Sequence, residues 1–372
     1  MRYWFLCALL CCSTMTLAGN KVVLVSLDGV RWQEVFGGSD PQLIVSPAYV
    51  KQPQLIHTYS PGHAEQLMPF LHQTVAKHGV LAGDRNKNSS VSVTNPAQVS
   101  YPGYQELLAG FADPKLLSNA DIPNPNPTVL EWLATEQARQ VAVFGSWQLL
   151  PQILNTARSG LLVNAGFMPL QQLHTERVQY LNELQQKTPA SFATVRPDIF
   201  TQEFALEYLR QKQPDVLYIA LGEADDFAHQ QQYDRYLQAI HHHDAFLAEL
   251  WRTLQNLPAY RNQTTLLIST DHGRGLAEQW HRHGQTAALP GYPAPEGVPG
   301  SEQIWYAALG PGVPAAGLVQ GEFQQRQLAA TLAASLGLDY RAAQPKAAAA
   351  LEFNSQFQLA SDTAPAADHQ GP

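Results

Sequence analysis

The sequence has few cysteines, no excess of basic residues and no long apolar run after its first residues. Its 372 residues include three cysteines, Cys7, Cys11 and Cys12. A chain cleaved beyond them would have no disulfide and no cysteine-ligated zinc site. Lys and Arg number 23 against 31 Asp and Glu, and the net charge is -8. This composition excludes a basic surface of the kind that binds nucleic acid.

The N-terminus has the pattern of an export signal. Arg2 precedes an apolar run over residues 3–12, and small residues follow up to Ala18. We therefore predict a signal peptide over residues 1–18 that is removed after Ala18. The run is shorter than the roughly 20 apolar residues of a membrane-spanning helix. The expectation is an exported protein, periplasmic or secreted, with no membrane anchor after cleavage.

Strand-length apolar runs alternate with helical periodicity in the rest of the chain. This alternation predicts an α/β fold with a mostly parallel central sheet and helices on both faces. We predict one main domain over residues 19–340, with mixed signals at 147–197 that suggest a small cap or insertion. Residues 341–372 form a tail rich in Ala, Gln and Pro.

The predicted elements follow from periodicity and flanking turn residues. The predicted strands cover residues 21–27, 140–144, 215–221, 264–269 and 304–309. The predicted helices cover residues 64–77, 103–109, 128–139, 201–213, 233–255 and 322–336.

Three predicted strands end in acidic residues followed by a turn. Asp28-Gly29 follows the first strand, residues 222–226 follow the third, and Asp271-His272 follows the fourth. In open α/β sheets, the carboxyl ends of parallel strands line the ligand crevice. We therefore expect these carboxylates to meet on one rim. Asp28 alone fits a helix cap, a turn residue or a metal ligand equally well.

The segment GEADDFAH, residues 222–229, places Asp225 and His229 four residues apart. On a helix, this spacing puts a carboxylate and an imidazole on one face, where both can bind one divalent cation. Asp226 is an alternative ligand, although only Asp225 has the four-residue spacing. The same pair also fits a helix cap followed by a surface histidine.

Further aspartate and histidine residues cluster near the fourth predicted strand. Asp271 and His272 are adjacent, so both can face one ion only beyond the strand, where glycines permit a turn. His281 and His283 follow in a glycine-containing loop, although loop histidines are usually solvated. Oxygen and nitrogen ligands of this kind suit zinc, with manganese, iron or magnesium as alternatives.

Ser100 lies where a helix is predicted to begin. It precedes Tyr101-Pro102, and proline suits the first helical turn. The hydroxyl would then lie near free backbone N–H groups, which favour an anion. Ser100 fits either a helix cap or a nucleophile whose hydroxyl pKa is lowered by a metal ion.

In this order, the motifs resemble those of the alkaline phosphatase superfamily, most closely its type I phosphodiesterase and nucleotide pyrophosphatase branch. The matching segments are Asp28-Gly29, Ser100-Tyr101-Pro102-Gly103, Asp225 to His229, Asp271-His272-Gly273 and His283-Gly284. Each motif is weak alone, but five in the right order form a specific pattern.

The resemblance implies a phosphate-ester hydrolase with two divalent metal ions, for which Zn²⁺ is the preferred identity. One ion would be held by Asp28, Asp271, His272 and the Ser100 oxygen, and the other by Asp225, His229 and His283. Ser100 would attack the phosphorus of a small phosphorylated substrate and form a phosphoserine that water hydrolyses. The choice between monoester and diester and the oligomeric state stay open.

The chain departs from this family at the nucleophile motif. The family has threonine and, three residues later, a phosphate-binding asparagine, where this chain has Ser100 and Gly103. Arg274 or a backbone N–H, including that of Gly103, would then contact the phosphoryl group. Glu223 would support a ligand histidine. His283 is preferred to His281 because a glycine follows it.

Two rival interpretations concern the same residues. Sulfatases share the fold and carry a Cys/Ser-x-Pro-x-Arg motif, which this chain follows from Ser100 until Tyr104 replaces the arginine. The chain could instead be a non-catalytic, metal-stabilised binding module, but the ligand set is complete. The run His241-His242-His243 spreads around a predicted helix, so we expect surface or packing roles for it.

Overall fold

The computed structural model describes residues 20–284 and 297–352. The predicted signal at 1–18 and the tail from residue 353 onward lie outside the described residues. The domain limits therefore stay predictions.

Eleven strands occur in the described part of the chain. They are β1 (Lys21–Leu27), β2 (Gly79–Ala82), β3 (Ser89–Ser92), β4 (Val141–Gly145), β5 (Leu162–Ala165), β6 (Val216–Leu221), β7 (Thr264–Ser269), β8 (Gln303–Ile304), β9 (Tyr306–Leu309), β10 (Gly317–Leu318) and β11 (Gly321–Gln324).

Thirteen α-helices occur in the same residues. They are α1 (Trp32–Gly37), α2 (Ala64–Leu67), α3 (Ala76–His78), α4 (Ser100–Ala109), α5 (Val129–Thr135), α6 (Leu150–Ile153), α7 (Thr156–Ser159), α8 (Glu176–Lys187), α9 (Asp198–Lys212), α10 (Glu223–His229), α11 (Tyr233–Asn256), α12 (Leu328–Ala334) and α13 (Tyr340–Ala343). Short 3₁₀ helices span Pro53–Leu55, Arg85–Lys87, Ala277–Gln279 and Gln325–Gln327, and a π-helix spans Leu71–Val75.

The central sheet has eight strands in the order β10-β2-β9-β7-β1-β6-β4-β5. Strands β7, β1, β6, β4 and β5 are parallel, whereas β9 is antiparallel to both β7 and β2. A second sheet has the order β11-β3-β8. The predicted α/β fold with a mostly parallel central sheet is confirmed.

Both faces of the central sheet are buried. Along β1, Val23 and Val25 pack into one apolar cluster with residues of α9 and α11, whereas Val22 and Leu24 pack into a second with residues of α4, α5 and α12. A parallel strand covered on both faces reads as a continuous apolar run. That is why the sequence pattern identified β1 over its full length.

The predicted helix at 64–77 is wrong as a single element. Helix α2 ends at Leu67, and a new helical segment starts at Pro69. Proline lacks an N–H and restricts the residue before it, so the helix breaks there. The N–H groups of Phe70 and Leu71 donate to the Asp244 carboxylate at 2.7 and 2.9 Å, which caps the new start.

The predicted helix at 322–336 starts too early. Its first residues form β11, which pairs in parallel with β3. Gln324 then forms a capping box with Gln327, and α12 begins at Leu328. Pairing with another strand overrides local helical periodicity in this segment.

The region 147–197 contributes to the central sheet as well as to its cover. Strand β5 lies in this region and pairs in parallel with β4 at the sheet edge. Helices α6, α7 and α8 surround it in sequence. The region whose sequence pattern fits neither helix nor strand clearly therefore contains one short strand at the edge of the central sheet.

Candidate metal centre

The central strands β7, β1 and β6 deliver most of the predicted site residues. The three strands are adjacent and parallel, with Ser26 paired to Ser269 and Leu27 paired to Leu221. Their carboxyl ends therefore lie at one edge of the sheet. Asp28 follows β1, α10 follows β6, and Asp271 lies just beyond β7.

A strand-end group forms from Asp28, Asp271 and His272. His272 Nε2 lies 3.3 Å from Asp28 Oδ1 and 3.4 Å from Asp271 Oδ2. His272 Nδ1 lies 2.9 Å from Gly273 O, which fixes Nδ1 as a donor and directs Nε2 at the carboxylates. One ligand atom of each residue lies within 4.8 Å of the others, a spacing that can hold one metal ion.

Ser100 lies against this group. It is the first residue of α4 and is buried, and its Oγ lies 3.2 Å from His272 Nε2. One turn later on the same helix, the Tyr104 hydroxyl donates to Asp28 Oδ2 at 3.0 Å. The start of α4 is therefore bound directly to the strand-end group.

A helix-and-loop group forms from Asp225, His229 and His283. His229 Nε2 lies 3.1 Å from Asp225 Oδ2 and 3.0 Å from His283 Nε2. His283 Nε2 lies 3.7 Å from Asp225 Oδ1, and His283 Nδ1 lies 3.1 Å from Gln98 O. Two histidine Nε2 atoms and a carboxylate therefore converge, as they do around a divalent cation.

The two groups form one continuous cluster. The rings of His272 and His283 stack at 3.8 Å with 12° between their planes. His272 Nε2 also lies 3.9 Å from Asp225 Oδ1. The structure brings together all seven side chains that the sequence predicted as metal ligands.

The buried carboxylates fit a cation. Asp28 Oδ1 and Asp271 Oδ2 are buried and have no hydrogen-bond partner among the residues that the structure describes. Burial and the charge of Asp225 raise the pKa of Asp28, and burial and the charge of Asp28 raise that of Asp271 well above its usual range. Carboxylates this close repel one another unless a proton or a metal ion is present.

Burial and neighbouring charges also shift the pKa values of two histidines in the cluster, in opposite directions. Burial alone would lower the pKa of His272, but the charges of Asp271, Asp28 and Asp225 raise it to about 9. Burial and the charge of His272 hold the pKa of His283 well below its usual range. His283 is therefore neutral near pH 7 and offers a lone pair.

Arg274 does not face open space for a phosphate. Its side chain is fully buried, and its Nη1 bonds to the Asp225 carboxylate. Its Nε donates to Trp280 O at 3.0 Å, and its Nη2 donates to His281 O at 2.7 Å. In the structure, Arg274 thus links Asp225 to the loop that carries His283, and its phosphate contact stays a prediction.

The structure gives Gly103 a packing role. Its N–H donates to Val99 O at 2.9 Å within α4, so it is not free for a phosphate. A Cβ at this position would lie 2.4 Å from Asp271 O. Glycine therefore lets α4 approach the strand-end group closely.

Glu223 contacts Asp198 in place of a ligand histidine. Its Oε2 accepts from Asp198 N at 2.9 Å, and its N–H donates to Asp198 Oδ2 at 3.0 Å. No local signal marks Asp198, since it follows Pro197 and reads only as the start of a helix. Its role depends on hydrogen bonds between the first residue of α9 and the first residues of α10, which a sequence motif does not encode.

The geometry favours Asp225 and His283 over their alternatives. Among the described residues, ligand atoms lie within 4.8 Å of one another in Asp28–Asp271–His272 and in Asp225–His272–His283, and Asp226 belongs to neither set. His229 is outside both sets but contacts Asp225 and His283 at 3.1 and 3.0 Å. Burial together with the charge of Asp225 raises the pKa of Asp226 to about 8. His281 packs against Tyr49 and Trp280.

Comparison with known proteins connects these residues to a family. A family model described as type I phosphodiesterase / nucleotide pyrophosphatase matches residues 67–289, more than half of the chain. No curated protein matches the sequence.

Solved structures share the fold at low identity. The lipoteichoic acid synthase LtaP from Listeria monocytogenes is 11% identical, with a TM-score of 0.55 over 87% of this chain and 73% of that one. A 2-O GAG sulfatase is 16% identical, with a TM-score of 0.55 over 92% and 76% of the two chains. The phosphonate monoester hydrolase of Agrobacterium radiobacter is 16% identical, with a TM-score of 0.50 over 86% and 74%.

Proposed function

The chain belongs to the type I phosphodiesterase / nucleotide pyrophosphatase family, and we propose from this that it is an exported two-metal hydrolase of phosphate esters. The family and the alkaline phosphatase-like fold support a metal-dependent hydrolase of phosphate or sulfate esters. The finer proposal is that Ser100 is the nucleophile and that a phosphoserine forms during turnover.

The position of Ser100 carries this proposal. Its Oγ lies 3.2 Å from His272 Nε2, beside Asp28 and Asp271, which each have one carboxylate oxygen without a hydrogen-bond partner among the described residues. It also lies at the N-terminus of α4, a ten-residue helix whose first N–H groups and dipole favour an anion. A phosphoryl group placed there would face the hydroxyl.

Two divalent cations fit the residues around Ser100. The strand-end group with the Ser100 oxygen would hold one, and the helix-and-loop group would hold the other. When bound, the ions lower the pKa of the serine hydroxyl and neutralise charge on the phosphoryl and leaving oxygens. Zn²⁺ suits these ligands best, and Mn²⁺, Fe or Mg²⁺ can be tested beside it.

The residues of the chain then orient the reaction. The Tyr104 hydroxyl holds Asp28, and Gln98 O holds the His283 ring, so both ligands are oriented before substrate arrives. The Ser100 Oγ would lose its proton to water and form a bond to phosphorus as the bond to the ester oxygen breaks, and the leaving oxygen would take up a proton and depart as the alcohol. Water then cleaves the phosphoserine and restores the hydroxyl.

Sulfate-ester hydrolysis is the second candidate, because a sulfatase shares the fold. Conversion of Ser100 to formylglycine would be needed, and Tyr104 stands where that motif has arginine. Tyr104 is buried against Asp28, so this position is committed to the metal ligand. The mass of the Ser100 peptide separates the two, since only the sulfatase route modifies the serine before turnover.

Export is part of the proposal and depends on the N-terminal pattern of residues 1–18. Within residues 20–284 and 297–352, no helix combines the length and apolarity that crossing a membrane requires.

A substrate panel with and without a chelator tests the proposed activity. We expect metal-dependent release of p-nitrophenol from p-nitrophenyl phosphate, its bis-ester or both, and none from p-nitrophenyl sulfate. Hydrolysis of the sulfate alone, or phosphate-ester hydrolysis that survives complete metal removal, would contradict it. Metal binding without hydrolysis of any ester would instead favour the non-catalytic module.

A further inference from the structure

We propose that Asp198 and His243 act as a clamp that positions α10, the helix that presents Asp225 and His229. The inference deepens the proposed function and rests on it, since the clamp acts through the helix-and-loop group. Neither residue touches a predicted metal ligand directly, so both are positioning residues.

Helix α10 starts without a capping side chain of its own. Its N-cap is Gly222, and no local side chain accepts a hydrogen bond there. A Cβ at Gly222 would lie 3.0 Å from Val195 Cγ1, so the tight packing at this turn favours glycine. The first N–H groups of a helix need acceptors from elsewhere in such a case.

Asp198, the first residue of α9, supplies acceptors for two of these N–H groups. Its Oδ1 accepts from Gly222 N at 2.9 Å, and its Oδ2 accepts from Glu223 N at 3.0 Å. Asp225 lies two residues further along, within the same first turn. The position of the Asp198 carboxylate therefore sets where the Asp225 side chain begins.

Two further side chains fix the Asp198 carboxylate. His243 Nε2 donates to Oδ2 at 2.7 Å, and the Ser146 hydroxyl donates to Oδ1. Asp198 is 2% exposed and His243 is 1% exposed. A buried carboxylate is costly unless it is fully hydrogen-bonded, and four donors to one carboxylate meet that need. The clamp thus joins α9, α10, α11 and the end of β4.

This arrangement changes the prediction for the histidine run. His243 is a buried partner of Asp198, so its role is more specific than general packing. His241 Nδ1 contacts Leu67 O at 2.9 Å, and His242 is exposed. Only His243 connects the run to the candidate metal centre.

Zn²⁺ titration of metal-free protein tests the clamp without any substrate. Asp198→Asn places an NH₂ group against a backbone N–H whichever way the amide turns. We expect Zn²⁺ to bind the helix-and-loop group roughly 10- to 100-fold more weakly, with binding to the strand-end group retained. His243→Leu should weaken it in the same direction, and His243→Gln should restore part of the affinity because its amide can donate to Asp198.

Asp244→Asn is the matched control. Asp244 is also buried and accepts two backbone N–H groups at a helical start, but those belong to Phe70 and Leu71. A clamp predicts a lower melting temperature for Asp244→Asn with unchanged Zn²⁺ affinity. A purely structural role predicts that both aspartate variants change the affinity equally or not at all, and either result would overturn the clamp.

The outcomes remain separable from those of the proposed function. Ester hydrolysis together with wild-type Zn²⁺ affinity in Asp198→Asn would overturn only the clamp. Weakened Zn²⁺ binding in a protein that hydrolyses no ester would overturn only the proposed function. If Asp198→Asn does not fold, the comparison of His243→Leu with His243→Gln decides, and equal affinities in that pair would overturn the clamp.

Discussion

The strand-end group and the helix-and-loop group hold similar side chains in different ways. Asp271 and His272 are fully buried, whereas the His229 side chain is 47% exposed. The residues of the first group directly follow β1 and β7, and the hydrogen bonds between these two adjacent strands fix their positions. The second comes from a short helix and a loop, and its position depends on Arg274 and on the Asp198–His243 pair.

This contrast shows how one site can combine a fixed half and a supported half. Adjacent parallel strands place the residues of the strand-end group, and the Tyr104 hydroxyl then orients Asp28. The helix-and-loop group needs contacts from residues remote in sequence, as supporting residues of metal sites often provide. We therefore expect the two halves to respond differently to substitution and to pH.

The largest expected effect is that of Ser100→Ala on turnover. Removal of the nucleophile should lower kcat by at least about 1,000-fold, while both groups keep their metal. Turnover of p-nitrophenyl esters and metal content measure the two quantities. Ser335→Ala is a suitable control because Ser335 caps the end of α12, where its hydroxyl donates to Thr331 O. Full activity in Ser100→Ala would remove the serine from the mechanism.

The next effect compares one ligand from each half. Asp271→Asn should abolish Zn²⁺ binding to the strand-end group, because its buried position cannot admit a substitute ligand. His229→Ala should weaken the other group only about 10- to 100-fold, since water can reach this exposed position. Zn²⁺ stoichiometry and affinity of each variant give the answer. A greater loss in His229→Ala would reverse the proposed order of the two halves.

A smaller effect is the pH dependence of Zn²⁺ binding. Because the pKa of metal-free His272 is raised to about 9, a cation must displace its proton at any lower pH. Affinity at the strand-end group should therefore rise from pH 6 to about 9, with proton release. The pKa of His283 is lowered, so protons compete less at the helix-and-loop group. Calorimetry in buffers of different ionisation enthalpy counts the protons, and equal release in both steps would contradict this difference.

The smallest effect is expected from Arg274→Lys. Lysine can still pair with Asp225 but cannot also donate to both Trp280 O and His281 O, so the loop that carries His283 loses support. We expect Zn²⁺ affinity at the helix-and-loop group to fall by about tenfold or less. Unchanged Zn²⁺ affinity with a raised KM for the ester would instead indicate that Arg274 contacts the substrate.

The sequence was most informative where structure is local or where spacing is short. Strand β1 was predicted over its full length, and the carboxylates after β1 and β7 were predicted to meet because parallel strands end at one edge. The four-residue spacing of Asp225 and His229 likewise placed them on one face of α10. Such features need only neighbouring residues or the general rules of α/β sheets.

Long-range contacts account for what the sequence did not predict. Arg274 reaches Asp225, 49 residues earlier, and Asp198 reaches Gly222, 24 residues later. Their partners are chosen by the packing of loops and helices, which no motif spacing records. Strand β11 was predicted as helix for the same reason, since its pairing with β3 lies outside any local window.

Rapid-quench mass spectrometry of the Ser100 peptide during turnover tests the central claim most directly. The metal-loaded protein should carry one phosphoryl group on Ser100 at early times with a phosphate ester, and none after chelation. Ser100→Ala should show no phosphorylated peptide and no turnover. Sustained hydrolysis without phosphoserine at any time, together with an active Ser100→Ala variant, would contradict the account.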